Sequence, residues 1–287
     1  MEYGIALAGG GARGAAHVGV LMALEEAGLC PAAIAGASAG AIVAGLYASG
    51  VGPSVLKNLV LDLAIHGSRL IDPDYGGIIK SVLQFIIRRP VSVQGLLKGK
   101  KLEQYLCSLT GGKGMRNTRI PVIIPAVDLY TGKTIAFTDC VRCVRPVRDV
   151  EWRTDVLLCE AMRASAAVPA VFRPKSIDDM RLVDGGLTDN LPVDLLLAYG
   201  VHRVLAIDVS EEYEAPEYNN IIETASHSLT ILTTRLRDHM VKGEKLLLKP
   251  ALPREAGLLT FENMAACMEA GYRAASEQLD TIRYLFG

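Results

Sequence analysis

The stretch Gly36-Ala37-Ser38-Ala39-Gly40 decides how the fold of this 287-residue chain is interpreted. It follows an apolar run at residues 32–35 and precedes a helix-forming run at residues 41–48. This order predicts a buried strand, a sharp turn and a helix, a setting in which only very small neighbours let the turn serine adopt a strained backbone. A small-residue turn without chemistry is the alternative. The context favours a nucleophilic Ser38 that faces the positive end of the following helix, with Gly36 and Gly40 supporting the turn.

The rest of the chain alternates between predicted strands and predicted helices. The predicted strands are residues 3–7, 32–35, 120–127, 134–137, 181–183, 204–209 and 245–249, and the predicted helices are residues 15–27, 41–48, 154–164, 193–198, 221–242 and 263–279. Such alternation predicts an α/β fold with three layers (α/β/α) and a mostly parallel central sheet. No linker or repeat divides the sequence, so we expect residues 1–287 to form a single domain in which residues 50–115 are mostly helical and irregular.

Composition excludes several classes of function. Lys and Arg total 30 and Asp and Glu total 31, so the net charge of −1 gives no reason to expect a nucleic-acid partner. Charged residues or glycines interrupt the apolar runs well before the ~20 residues that a membrane span needs. The N-terminus carries no basic segment typical of a secretory signal, so we expect a cytoplasmic location.

The six cysteines do not form a recognisable metal pattern. Cys140-x-x-Cys143 has the spacing of a redox pair or of half a zinc site, but a second ligand pair and a thioredoxin pattern are both missing. We therefore expect free thiols in a reducing compartment, no metal and no cofactor.

A glycine-rich loop, Gly9-Gly10-Gly11-Ala12-Arg13-Gly14, lies between the first predicted strand and the first helix. It matches the dinucleotide fingerprint, which also requires an acidic residue about 20 positions later at the end of the second strand. Glu25 and Glu26 lie on the preceding helix instead, so the cofactor interpretation fails. The loop still offers backbone N–H groups at a helix N-terminus, and we expect Gly10 and Gly11 to form an oxyanion hole, with Arg13 steadying the loop or binding an anionic head group.

A serine nucleophile requires a base. The five histidines lie at positions 17, 66, 202, 227 and 239, and none follows a late strand. Asp184 ends a short predicted strand and precedes Gly185-Gly186, so its carboxylate is expected at the edge where open α/β sheets form active sites. Asp-Gly is also a common turn pair, and from these residues alone the two interpretations are about even.

Together, Gly9-Gly10-Gly11-x-Arg13-Gly14, Gly36-x-Ser38-x-Gly40 and Asp184-Gly185-Gly186 resemble the three signature blocks of the patatin-like phospholipase family. Residues 161–172, residues 126–132 and Asn190-x-Pro192 resemble further segments of that family, and the resemblance covers about residues 3–210. Residues 50–115 and 211–287 are not diagnostic.

The resemblance implies a catalytic dyad without histidine. Ser38 would attack the acyl carbonyl, Asp184 would accept and return the proton, and the glycine loop, whose family block runs over Gly9, Gly10, Gly11, Arg13 and Gly14, would stabilise the oxyanion. It implies an acyl ester of a phospholipid, a lysophospholipid or a related lipid as the substrate.

The apolar residues 78–87, which lead to Arg88-Arg89-Pro90, fit either a flap that meets acyl chains and a membrane surface or a core helix, which is the commoner outcome. Lys98, Lys100 and Lys101 add local positive charge. The alternative function is a regulatory or lipid-binding protein on the same fold without turnover. The intact Ser38, Asp184 and glycine loop favour the enzyme.

Overall fold

A computed structural model describes residues 3–76, 95–210, 228, 231–233, 235 and 243–287. The strands are β1 (Gly4–Leu7), β2 (Ala33–Gly36), β3 (Val122–Asp128), β4 (Thr134–Thr138), β5 (Val150–Arg153), β6 (Lys175–Ile177), β7 (Met180–Asp184), β8 (Val204–Ile207) and β9 (Leu246–Leu248). The helices are α1 (Ala15–Glu26), α2 (Ala39–Ser49), α3 (Pro53–His66), α4 (Lys100–Thr110), α5 (Leu158–Ser165), α6 (Val193–Ala198), α7 (Met264–Glu277) and α8 (Leu279–Phe286).

The strands form a mixed, mostly parallel sheet in the order β5-β4-β3-β2-β1-β8-β9, as the α/β prediction requires. The parallel pairs are β1 with β2, β1 with β8, β2 with β3, β4 with β5, and β8 with β9. The antiparallel pairs are β3 with β4, β3 with β7, and β6 with β7.

Strands β2 and β7 meet end to end along one edge of β3. Ala35 pairs with Ile123 near the start of β3, and Asp184 pairs with Ala126 further along it. Because β4 pairs with both Ile123 and Ala126 from the other side, β2 and β7 must share the opposite edge. Strand β7 runs antiparallel to β3, so its C-terminal end points at the C-terminal end of β2. This register brings the residues that follow β2 towards Asp184.

The two faces of the sheet are buried in different ways. Ile5, Leu7 and Ile34 alternate with alanines, and their side chains join the large apolar core that contains α1, α2, α5 and α7. Ala6, Ala33 and Ala35 face the second core, which α6 covers. Alternation along each strand thus places helices on both faces, which gives the expected three layers.

Several element boundaries differ from the sequence-based expectation. Helix α5 begins at Leu158 rather than at residue 154, because the chain between residues 154 and 157 docks on residues 113–115 through backbone hydrogen bonds. The sequence analysis missed β5 and β6, and the predicted helix at residues 263–279 is split, since α8 begins separately at Leu279. Residues 78–90, for which the sequence allows either a flap or a core helix, and most of the predicted helix at residues 221–242 lie outside the described residues.

The expectation of free thiols is wrong for four cysteines. Cys107 of α4 forms a disulfide with Cys159 of α5, and Cys140 forms one with Cys143. The first pair is 52 residues apart in sequence, so only the packing of α4 against α5 brings it together. Among the described residues, no helix has the length and hydropathy needed to cross a membrane.

Candidate active site

Ser38 occupies the turn between β2 and α2 in a strained backbone conformation. Its φ of 52° and ψ of −119° place a non-glycine residue in a region that costs free energy and is concentrated at functional sites. The side chain stands at the N-terminus of α2, where the helix dipole favours negative charge. Only 7% of the surface of Ser38 is exposed. The strand, turn and helix around Ser38 are those that the sequence predicts, and its role as a nucleophile stays a prediction.

Gly36 and Gly40 let this turn close. A Cβ atom added to Gly36 would overlap the carbonyl oxygen of Gly40, and one added to Gly40 would overlap the carbonyl oxygen of Leu7. Both contacts are with backbone, which cannot move aside without opening the turn. The small residues therefore permit the close approach of β1, β2 and α2 that positions Ser38.

Ser165, at the end of α5, fixes the backbone of Ser38. Its Oγ accepts a hydrogen bond from the Ser38 N–H at 3.0 Å, and its side chain is fully buried. The sequence analysis did not identify this residue, because 127 positions separate it from Ser38. The Ser165 hydroxyl therefore gives the buried Ser38 N–H group a hydrogen-bond acceptor while Ser38 holds its strained conformation.

Asp184 is buried beside Ser38. Its Oδ1 accepts a hydrogen bond from the N–H of Gly186 at 2.7 Å. Burial raises the pKa of the carboxyl from 3.8 to about 6, and hydrogen bonds from the Ser38 hydroxyl and the Gly186 N–H oppose that rise. Among the described residues, no donor reaches Oδ2 with good hydrogen-bonding geometry. A carboxylate oxygen without a fixed donor is available to take up a proton.

The glycine loop lies next to this pair. A Cβ atom added to Gly9 would lie 3.0 Å from the Cβ of Ser38, and one added to Gly14 would lie 2.6 Å from the Cβ of Ala39. The N–H groups of Gly10 and Gly11 have no acceptor in the described part of the chain. The N–H of Gly9 donates to the carbonyl oxygen of Asn190 at 3.1 Å, so it is not available to an oxyanion.

Arg13 anchors the loop from its far side. Its guanidinium donates to the carbonyl oxygen of Ala256 at 3.1 Å, and the neighbouring Ala12 N–H donates to the carbonyl oxygens of Gly257 and Leu258 at 3.2 Å. These bonds tie the glycine loop to residues 256–258. Of the two roles expected for Arg13, they favour steadying the loop.

Asn190 connects the loop to the aspartate. Its Oδ1 would lie 2.5 Å from a Cβ atom added to Gly9 and 2.7 Å from one added to Gly186. The side chain thus lies between the glycine loop and the turn after Asp184, and glycine at positions 9 and 186 leaves room for it. The sequence signal for this residue is Asn190-x-Pro192, which carried no assigned role in the sequence analysis.

An apolar cavity of about 170 Å³ opens beside Ser38. Its walls come from the glycine loop, α2, α3, α4 and the segment before α7, and include Gly11, Ile42, Leu46, Leu63, Leu106 and Phe261. Leu46 lies eight residues after Ser38 along α2, so the cavity follows that helix for about 12 Å, at 1.5 Å per residue. The sequence gave no sign of this cavity, because its walls are far apart along the chain.

The described histidines form no hydrogen bond or ion pair with Ser38 or Asp184. His17 is fully buried, its Nε2 lies 2.8 Å from the carbonyl oxygen of Ala8, and burial lowers its pKa to about 4. His66 pairs with Asp62 at the end of α3, and His202 is exposed. His227 and His239 lie outside the described residues. Within the described part of the chain, no cluster of three or more potential metal ligands is present.

Three curated relatives are similar in sequence. An uncharacterised NTE family protein of Mycobacterium tuberculosis is 29% identical over 212 residues, which cover 74% of this chain and 50% of that protein. The uncharacterised protein YqhO of Bacillus subtilis is 29% identical over 223 residues, which cover 74% of this chain and 72% of that protein. Lysophospholipase NTE1 of Mycosarcoma maydis is 25% identical, and the match covers 98% of this chain but 15% of that protein. The chain thus spans about half or less of several of its relatives.

Structure and family comparisons agree with the architecture. The crystal structure of VipD from Legionella pneumophila superimposes with a TM-score of 0.50 at 15% identity, covering 98% of this chain and 67% of that one. This likeness concerns the fold alone. The model of the patatin-like phospholipase family matches residues 5–197, which include Ser38, Asp184 and the glycine loop. The chain therefore belongs to the patatin-like phospholipase family.

Proposed function

We propose that the chain is a serine acyl-ester hydrolase that cleaves fatty acyl esters of phospholipids, lysophospholipids or related lipids through a Ser38–Asp184 dyad. The observation that carries the proposal is a strained serine beside a buried carboxyl at the mouth of an apolar cavity. Membership in the family and the printed name of the Mycosarcoma maydis relative, a lysophospholipase, support the same class of substrate.

In the first half of the reaction, the Ser38 hydroxyl oxygen attacks the ester carbonyl carbon while Asp184 takes the hydroxyl proton. The N–H groups of Gly10 and Gly11 donate to the oxyanion of the tetrahedral intermediate. The bond between the carbonyl carbon and the alcohol oxygen then breaks, and Asp184 returns its proton to that oxygen. This step leaves an acyl-enzyme on Ser38.

In the second half, water attacks the acyl-enzyme and Asp184 accepts the water proton. Collapse of the second tetrahedral intermediate breaks the bond between the acyl carbon and the Ser38 oxygen, Asp184 returns its proton to that oxygen, and the fatty acid is released. A carboxyl with an ordinary pKa is a weak base for a hydroxyl, and a pKa of about 6 brings Asp184 closer to the operating pH. Such a base suits esters, whose alkoxide leaves with less help than the amine of an amide.

The cavity gives the acyl chain its site. Half of a bilayer's ~30 Å hydrocarbon core is about 15 Å, which is the depth that one lipid chain spans in the membrane. A cavity of about 12 Å along α2 accommodates most of such a chain. Its mostly apolar walls compensate for removing the chain from the membrane. Ser38 and Tyr105 are the polar side chains among the described lining residues, so a charged substituent finds no counter-charge there.

The test is hydrolysis of p-nitrophenyl acyl esters of increasing chain length by wild type, Ser38→Ala and Asp184→Asn. We expect wild type to hydrolyse them, with a chain-length optimum that the cavity sets, and both variants to lose at least about 10³-fold in kcat, as removal of a nucleophile or its base does. Equal rates for wild type and Ser38→Ala would overturn the proposal and favour a lipid-binding protein without turnover.

A further inference from the structure

Helix α3 is apolar on two opposite faces. Its inner face, formed by Leu56, Leu59, Val60 and Leu63, lines the cavity. On the outer face near its C-terminal end, Leu61 is 39% exposed and Ile65 is 76% exposed. An ordinary surface helix buries its apolar stripe and presents polar residues to water. The outer apolar residues of α3 are therefore accessible to a partner outside the described part of the chain.

The start of α4 lies against the end of this helix. Lys101 Nζ donates to the carbonyl oxygens of Arg69 at 3.2 Å and of Ile71 at 3.5 Å. These bonds hold the start of α4 against the turn at residues 67–71, which directly follows α3. We call the exposed side chains of Leu61, Ile65, Arg69, Lys100 and Lys101 together the α3–α4 surface.

The charge around this surface is strongly unbalanced. Over residues 53–76 and 95–110, the exposed charged side chains are five cations, Lys57, Arg69, Lys98, Lys100 and Lys101, and one anion, Asp62. The chain as a whole carries 30 basic and 31 acidic residues, so this excess is local. Exposed aliphatic side chains on a segment with an excess of exposed Lys and Arg match the interfacial region of a membrane that contains anionic lipids.

We propose that the α3–α4 surface docks on an anionic phospholipid bilayer, with Leu61 and Ile65 entering the interface and the cations binding lipid head groups. The inference rests on the proposed function, since docking there serves delivery of lipid to Ser38. Leu70 and Ile71, which follow Arg69, line the cavity, and so does Leu259, which is 36% exposed. An acyl chain leaving the bilayer at this surface therefore meets the cavity wall directly.

The test is co-sedimentation with vesicles of phosphatidylcholine alone and of phosphatidylcholine mixed with phosphatidylglycerol. We expect binding to the mixed vesicles and not to the neutral ones. Arg69→Gln combined with Lys100→Gln should weaken binding roughly 25-fold, at roughly fivefold per cation. Ile65→Asn should weaken it at least about tenfold. Ile65 and Lys100 do not line the cavity, so both variants should keep wild-type hydrolysis of a water-soluble short-chain ester.

Two control variants lie elsewhere. Tyr284→Asn removes an aromatic ring that is 89% exposed on α8, and Arg148→Gln removes an exposed cation of the β4–β5 loop. Neither should alter vesicle binding. Wild type that sediments with neither vesicle, or with both equally, overturns the proposal, as do surface variants that bind like wild type. Active enzyme without vesicle binding refutes the docking surface alone, whereas vesicle binding without Ser38-dependent hydrolysis refutes the proposed function alone.

Discussion

Replacing Asp184 with Asn should inactivate the protein and stabilise its fold. Burial raises the pKa of this carboxyl from 3.8 to about 6, so the folded state holds the proton more tightly than the unfolded chain. Below pH 3.8 both states are protonated and the residue has no effect on stability. Between pH 3.8 and 6 the unfolded chain loses the proton first, so the free energy of unfolding falls as the pH rises.

Above pH 6 the decrease in the free energy of unfolding is complete. It amounts to about 3 kcal/mol, at about 1.4 kcal/mol for each pH unit between the two pKa values. An Asn side chain is neutral at every pH and still accepts the hydrogen bond from Gly186. We therefore expect Asp184→Asn to be more stable than wild type by about 3 kcal/mol at pH 8 and by about 1 kcal/mol at pH 4.5. For a protein of this size, the former difference raises Tm by about 5–10 °C.

The assay is urea unfolding of both proteins at pH 8 and pH 4.5, followed by circular dichroism. Asp280→Asn is the control, because Asp280 is exposed on α8 and its replacement should leave the stability unchanged at both pH values. The reasoning is refuted if Asp184→Asn is no more stable than wild type at pH 8. It is refuted equally if the stability difference is the same at both pH values, since only the change with pH reports the raised pKa.

Three further predictions concern the site. Because Asp184 must be ionised to act as a base, kcat/KM should rise through about pH 6 to a plateau, and a profile that falls over that range would assign the titration to another group. Ser165→Ala leaves the buried Ser38 N–H without its acceptor, so kcat/KM should fall about tenfold while circular dichroism stays unchanged; an unaltered rate would remove Ser165 from the site. Leu46→Phe should fill the cavity about 12 Å from Ser38 and lower hydrolysis of long-chain esters while short-chain esters react as before; an equal loss on both would show that the acyl chain lies elsewhere.

Local sequence was sufficient to predict the parts of the site that lie within one turn. Ser38 needs small neighbours on both sides, and the clash that any side chain at Gly36 or Gly40 would cause explains why the motif is visible in the sequence. The glycine loop is also recognisable in the sequence, because side chains at its glycines would likewise clash with neighbouring atoms. The α/β alternation also follows from local periodicity, and the mixed, mostly parallel sheet confirms it.

The remaining parts depend on contacts between distant segments. Asp184 lies beside Ser38 because β7 pairs antiparallel with β3 along the part of its edge that β2 does not cover. No local sequence pattern specifies that register. Ser165 and the walls of the cavity are brought to the site by packing of α5, α3 and α4. The Cys107–Cys159 disulfide was missed for the same reason, since spacing rules detect pairs within one motif rather than between two helices.

The central claim, that Ser38 is a nucleophile activated without histidine, is tested most directly by labelling with a fluorophosphonate and mapping the adduct by peptide mass spectrometry. The account predicts one adduct per chain, located on the peptide that contains Ser38 and strongly reduced in Asp184→Asn. Wild-type protein that remains unlabelled, or that carries its adduct on another serine, would contradict the account.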